Sequence, residues 1–169
     1  DASIIDKEYK DNKYYIQLDR TIFYPHLSGG QPRDRGTING IRVLDVFEDG
    51  DSIIHVINKE IKDPNVRLII EWDNRFDLMQ QHSGQHLLSS SFYRLLNIDT
   101  IGFHIGREYI YIDIKKSNLT EDEVKQVEYL ANKVIHSNFE IKAYFADKEK
   151  VSALPLRKTP PTLENIRIV

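Results

Sequence analysis

Leu68-Ile69-Ile70-Glu71-Trp72-Asp73-Asn74-Arg75-Phe76-Asp77-Leu78-Met79 contains the point at which the hydrophobic pattern of this chain changes period. Upstream of Asp73 the pattern is that of short strands. Tyr14-Tyr15-Ile16-Gln17-Leu18 reads as one, Asn39-Gly40 stands between Thr37-Ile38 and Ile41-Arg42-Val43, and Asp49-Gly50 separates residues 43–47 from 52–57. Asn-Gly and Asp-Gly supply the positive φ angles that tight hairpin turns require. A further strand over residues 66–72 ends the region. Four or five strands joined by hairpins predict a small β-barrel.

Downstream of Asp73 the period is helical. No proline falls between Asn74 and Leu96, and Gly84 is the one helix-weak residue there. Phe76, Met79, Leu87, Phe92, Leu95 and Leu96 form the expected buried face. Residues 109–114 read as a half-buried strand with Ile110, Ile112 and Ile114 on one side. Thr120-Glu121-Asp122-Glu123 has the form of a capping box, and Val124, Val127, Ala131, Val134 and Ile135 follow at helical spacing. Phe139, Ile141, Ala143 and Phe145 alternate as another strand. The whole predicts an α+β chain. Residues 1–72 form a small N-terminal β-barrel with a glycine-rich loop, and residues 73–169 a second domain with helices packed on a largely antiparallel sheet.

The bulk numbers agree with a globular protein: 169 residues, 40% hydrophobic and 29% charged. No apolar run approaches the roughly 20 residues of a membrane span. The opening Asp1-Ala2-Ser3 carries no secretory pattern and no initiator Met, so the natural start is expected to lie elsewhere. The absence of cysteine excludes disulfides and thiolate ligands within these residues and fits a cytoplasmic protein. With a net charge of −3, a polyanionic partner has to be held by local basic clusters, through salt-sensitive contacts.

His82-Ser83-Gly84-Gln85-His86 is the sharpest feature. Residues four apart share a helix face, so both imidazoles can reach one metal ion; the other reading is a pair of polar residues on a solvated or half-buried face. Ser83 stands where zinc peptidases carry the glutamate of H-E-x-x-H, which argues against that chemistry. Two histidines also leave a catalytic zinc site incomplete, since three protein ligands are usual. The second feature is residues 21–32, where Pro25, Gly29, Gly30 and Pro32 exclude a helix. Such a loop either lets backbone N–H groups approach a phosphate or ester, or simply joins two strands. Gly29-Gly30-Gln31 also matches the tripeptide of peptidyl release factors, but three residues do not carry that reading. His55 reads as a satisfied strand residue and His136 as solvent-facing, while His104, inside Gly102-Phe103-His104-Ile105-Gly106, is a candidate to line a site. Arg157-Lys158, beside Pro155, Pro160 and Pro161, is either a solvated loop or a phosphate contact.

Taken in order, these segments resemble the alanyl-tRNA editing family, the AlaX-type free-standing proteins and the editing domain of alanyl-tRNA synthetase. The resemblance is carried by Leu18-Asp19-Arg20-Thr21-Ile22-Phe23-Tyr24-Pro25, Ser28-Gly29-Gly30-Gln31-Pro32 and Asp34-Arg35-Gly36-Thr37-Ile38. It continues through residues 75–89, which enclose the paired histidines, then Gly102 to Gly106, Tyr111-Ile112-Asp113, Leu156-Arg157-Lys158 and Ile166-Arg167-Ile168-Val169. It departs in the loop, where Pro25-His26-Leu27-Ser28-Gly29-Gly30-Gln31 has one extra residue and no glutamate.

The resemblance implies a zinc-dependent deacylase acting on tRNA(Ala) mischarged with serine or glycine, in the cytoplasm and without a membrane. It implies His82 and His86 as metal ligands, Gln81 or Gln85 beside the ligands or the substrate, and Thr21 as the hydroxyl that meets serine. Gly29, Gly30, Gln31 and His104 would line the substrate site, with Arg33, Arg35, Lys115, Lys116, Arg157 and Lys158 toward the acceptor stem. The family's other zinc ligands come from a Cys-x-x-x-His motif after the segment that here ends at Val169, so the metal-binding editing domain at 73–169 is expected to be incomplete. Three alternatives stand beside this reading: the related threonyl-tRNA synthetase editing domain, a non-catalytic tRNA-binding module, and an editing domain within a larger synthetase. The Phe-Tyr-Pro and Gly-Gly-Gln segments favour the alanyl branch.

Overall fold

The computed structural model describes residues 1–106, 109–154 and 166–168. The chain divides into two compact units, Asp1–Ala131 and Asn132–Val169. The architecture is α+β, as expected.

The first unit opens with β1 (Ala2–Lys10) and β2 (Lys13–Leu18), then β3 (Gly36–Ile38), β4 (Ile41–Asp49), β5 (Ser52–Ile57), β6 (Asn65–Val66) and β7 (Leu68–Ile70). These seven make one antiparallel sheet in the order β6-β1-β2-β5-β4-β3-β7. Its two edge strands are separated in sequence by Arg67 alone, so the edges are brought together by the chain itself and the sheet is nearly closed into the expected barrel. Asn39 fastens the seam, its side-chain oxygen accepting from Arg67 N at 2.7 Å while its own backbone N–H donates to Arg67 O at 2.9 Å. Ile16, Leu18, Ile38, Val43, Val46, Ile57 and Leu68 fill the interior.

Val43 and Val46 are both buried although an unbroken strand would send them to opposite faces. A bulge between Val43 and Asp45 resets the alternation. Arg33 secures the bulge: its Nε is 2.9 Å from Asp45 Oδ1, and its terminal nitrogens donate to the carbonyls of Leu44 and Asp34. The strand expected over residues 66–72 is divided into β6 and β7 and ends at Ile70, and the strand of this sheet not anticipated is β1. Its turn to β2 is Asp11-Asn12, both in the left-handed region (φ 51° and 59°), which replaces the glycine that identifies the other hairpins.

Helix α1 (Trp72–Leu96) follows, then the hairpin β8 (Thr100–Ile105) and β9 (Ile110–Ile114), and α2 (Glu121–His136). Asn97, at φ 52°, ends α1 by donating its N–H to Tyr93 O. The capping box forms in both directions: Glu123 N donates to Thr120 Oγ1 at 3.2 Å and Thr120 N to Glu123 Oε2 at 3.0 Å. Phe92, Ile98 and Val127 form a second core, joined by Leu88, Leu96, Ile112, Ile114 and Leu119. Helices thus pack on the isoleucine face of an antiparallel hairpin, while Tyr111 and Asp113 on the other face stay exposed.

In the second unit, β10 (Tyr144–Ala146) pairs antiparallel with β11 (Ile166–Ile168), and Asp147 caps α3 (Lys148–Ala153) by accepting from Lys150 N. The strand expected from Phe139 onward is confined to Tyr144–Ala146. Among the described residues no strand pairs with 139–143, and Phe139 and Ile141 are exposed, so alternation there has no ladder to serve. Leu156, Arg157 and Lys158 lie outside the described residues. Among the described residues no helix is long and apolar enough to cross a membrane.

Candidate functional site

Helix α1 buries an unusual stripe. Half of the expected apolar face is solvent-facing, with Phe76, Met79 and Leu95 exposed, while Phe92 is buried and Leu87 and Leu96 half-buried. The residues that turn inward are Leu78, Gln85, Ser89, Ser91 and Phe92, with His82 half-buried on the same side. Positions 78, 82, 85, 89 and 92 recur at the 4-3-4-3 spacing of a helix face, yet the middle of that face is polar. A helix that turns polar groups inward is satisfying something other than a core.

His82 and His86 stand one turn apart on α1, their rings 4.9 Å apart and nearly parallel at 19°. Phe103 from β8 also stacks on His82, at 6.0 Å. His82 Nδ1 donates to Gln31 Oε1 at 3.2 Å, and since an amide oxygen only accepts, the proton is on Nδ1 and Nε2 keeps its lone pair. Burial lowers the His82 pKa and so favours the neutral ring that a metal requires. The two imidazoles therefore suit a borderline-soft cation such as zinc, as two of its ligands. Among the described residues, no group of three or more His, Asp or Glu side chains is placed to hold a metal ion.

The glycine-rich loop is brought to this helix. It makes a tight turn over Ser28–Gly30, with Leu27 at φ 58°, and Tyr24 closes it by donating its hydroxyl to Ser28 O at 2.8 Å. A Cβ on Gly29 would stand 3.7 Å from His82 Cε1, and one on Gly30, at φ +78°, would stand 2.5 Å from Phe103. Gly30 is thus required both by its backbone angle and by the aromatic ring against it. The loop is pinned to α1 by Asp34, which is fully buried: Arg75 Nε donates to its Oδ1 at 2.7 Å, Arg75 Nη2 bonds the other oxygen, and Tyr24 N donates to Oδ2 at 2.7 Å. Arg75 also reaches Ile22 O at 2.8 Å, and pairing with Asp34 raises its pKa.

The other anticipated residues are distributed as follows. Thr21 Oγ1 lies 2.8 Å from Nε2 of the buried His55 and accepts from Phe23 N at 3.0 Å. Gln81 donates to Asp77, and Gln85 to Ser89, so the partner of His82 in this structure is Gln31. His104 is exposed and stacks on Tyr111 at 5.2 Å. With His26, Arg33, Arg35 and Asp77 it lines a cavity of about 550 Å³. Lys115 and Lys116 are exposed beyond β9, Lys116 in an ion pair with Glu123. The residues that sequence reasoning passes over are Asp34, Arg75 and Phe103, together with His55 as the partner of Thr21. Their contacts span tens of residues, and local pattern carries no signal for such pairings.

No family model matches the chain. Individual proteins do. The chain is 38% identical over 180 residues to the alanyl-tRNA editing protein AlaX-L of Pyrococcus horikoshii, an alignment covering 100% of this chain and 44% of that protein. It is 38% identical over 145 residues to AlaX-M of the same organism, covering 82% of this chain and 66% of the relative. To the alanyl-tRNA editing protein Aarsd1 of Mus musculus it is 32% identical over 155 residues, covering 91% of this chain and 35% of the relative. The chain thus spans from about a third to two thirds of the length of these relatives. At 32–38% identity to these relatives over most of its length, the chain belongs to the alanyl-tRNA editing family.

Proposed function

We propose that the chain is the editing portion of a cytoplasmic hydrolase that removes serine or glycine wrongly esterified to tRNA(Ala), with zinc held in part by His82 and His86. The observation that carries this reading is the contact between the glycine-rich loop and His82, which stands one turn from His86. Gln31 fixes the His82 ring with Nε2 unprotonated, and Gly29 and Gly30 let the loop lie against His82 and Phe103. This is how a metal-binding imidazole is usually held, with its second nitrogen tied to an oxygen. Zinc, when bound, would polarise an ester carbonyl or lower the pKa of a water.

The protein's own residues would bind and orient the substrate. Thr21 meets the hydroxyl of serine, and alanine, lacking that hydroxyl, gains no such bond. The cavity beside His104 and Arg35 would take the terminal nucleotide, with Lys115 and Lys116 adding long-range attraction for the acceptor stem. Arg33 would contribute charge and fewer direct bonds, because three of its five N–H donors are committed to Asp45, Leu44 and Asp34. Arg157 and Lys158 remain candidates for the same stem.

The test is hydrolysis of seryl- and alanyl-tRNA(Ala) by the complete protein, with zinc and with a chelator. Selective, chelator-sensitive release of serine is expected; a folded, zinc-loaded protein that releases neither amino acid overturns the reading. A non-catalytic tRNA-binding module is the second reading. Tight tRNA binding without zinc or turnover would establish that second reading.

A further inference from the structure

His55 is a buried ionisable group for which the proposed chemistry has no use. It sits on β5 with no exposed surface, and Phe23 packs edge-on against its ring at 5.6 Å. Both ring nitrogens are engaged. Nδ1 is 3.2 Å from Ile16 O, which can only accept, so Nδ1 carries the proton. Nε2 is then an acceptor, and the hydroxyl hydrogen of Thr21 points to it across 2.8 Å. Burial lowers the His55 pKa and keeps the ring in this neutral form.

The consequence falls on Thr21, whose hydroxyl has one hydrogen and two lone pairs. The hydrogen goes to His55 and one lone pair takes the Phe23 N–H at 3.0 Å. What remains on this partly exposed side chain is a single lone pair, so the hydroxyl faces a ligand as an acceptor that cannot turn into a donor. We infer that His55 is a positioning residue for specificity: by holding the Thr21 hydroxyl as an acceptor, it makes the site select an aminoacyl group that bears a hydroxyl donor, serine ahead of glycine. This rests on the reading of Thr21 as the group that meets the amino-acid side chain.

The test compares deacylation of seryl- and glycyl-tRNA(Ala) by the complete protein and by Thr21→Val, His55→Leu, His55→Gln and the Thr21→Val/His55→Leu double variant. Folding is checked by thermal melts. Glutamine can accept from Thr21 with its amide oxygen and donate to Ile16 O. His55→Leu is expected to lower the serine-over-glycine preference about tenfold, the scale of one hydrogen bond. His55→Gln is expected to restore most of it, and the double variant to lose no more than Thr21→Val alone. An equal fall for both esters that glutamine does not restore, or a fall undiminished in the Thr21→Val background, makes His55 merely structural and overturns the inference. A Thr21→Val protein with unaltered seryl kinetics overturns the Thr21 reading and this inference with it. A parent protein inactive on every ester overturns the proposed function instead.

Discussion

Arg75, in the first turn of α1, holds both carboxylate oxygens of Asp34, which lies in the loop between β2 and β3 and is fully buried. Tyr24 N–H shares that carboxylate and the Tyr24 ring lies 5.9 Å from the guanidinium, so a single ion pair ties barrel loop and helix together.

Removing one member leaves a charge without its partner in a closed space. Arg75→Met and Asp34→Leu should each destabilise the protein by about 3 kcal/mol, while the double variant should cost less than the sum. Urea unfolding measures this, and losses that simply add would show that the two residues act independently.

Gln31→Leu should release the His82 ring. Nitrogen-15 correlation spectra of the metal-free protein are expected to show a protonated Nδ1 at His82 and a mixture of tautomers in the variant. Zinc affinity should fall about tenfold. A parent spectrum with the proton on Nε2 would contradict the assignment.

Two glycines in the same region should respond in opposite ways. Gly84 lies mid-helix with nothing within 4 Å of the point where an alanine methyl would stand, so Gly84→Ala should add about 0.5–1 kcal/mol through helix propensity. Gly30→Ala places a methyl 2.5 Å from Phe103 at a φ of +78° and should reduce both stability and deacylation. Calorimetric melts of the pair decide this; shifts of the same sign would be the wrong result.

Burial lowers the pKa of His55. A histidine that binds its proton more weakly when folded gives stability that is present above its unfolded value of 6.5 and is lost as pH falls below it, because the unfolded chain then takes up the proton. His82 has the same sign. The urea midpoint should therefore decline between about pH 7 and pH 5, and less steeply in His55→Gln. An unchanged slope in that variant would place the dependence elsewhere.

The barrel is legible in the sequence because Asn39-Gly40 and Asp49-Gly50 carry their turn geometry in their residue types. Asp11-Asn12 adopts positive φ angles without glycine, and β1 escapes detection with it. Thr120 and Glu123 sit within one helical turn, so their reciprocal bonds can be read directly. The spacing of His82 and His86 is equally local. The buried face of α1 is legible only at Phe92 and Leu96, near its end. Hydrophobicity locates faces that pack into a core, whereas this one turns Gln85 and Ser89 inward, bonded to each other. Gln31 and His82 are 51 positions apart, and Arg75 and Asp34 are 41 apart; periodicity has nothing to say about either pair.

The seam at Arg67 has a consequence for biosynthesis. Ser3 on the first strand meets Asn65, 62 positions further along, so a nascent chain emerging from the ribosome carries β1 as an open sheet edge until the last barrel segment is made. That edge invites pairing with neighbouring chains. Even in the finished barrel β6 covers only Ala2 and Ser3. The rest of β1 holds Asp6, Lys7, Glu8 and Lys10, charges that discourage intermolecular strand addition during synthesis and afterwards.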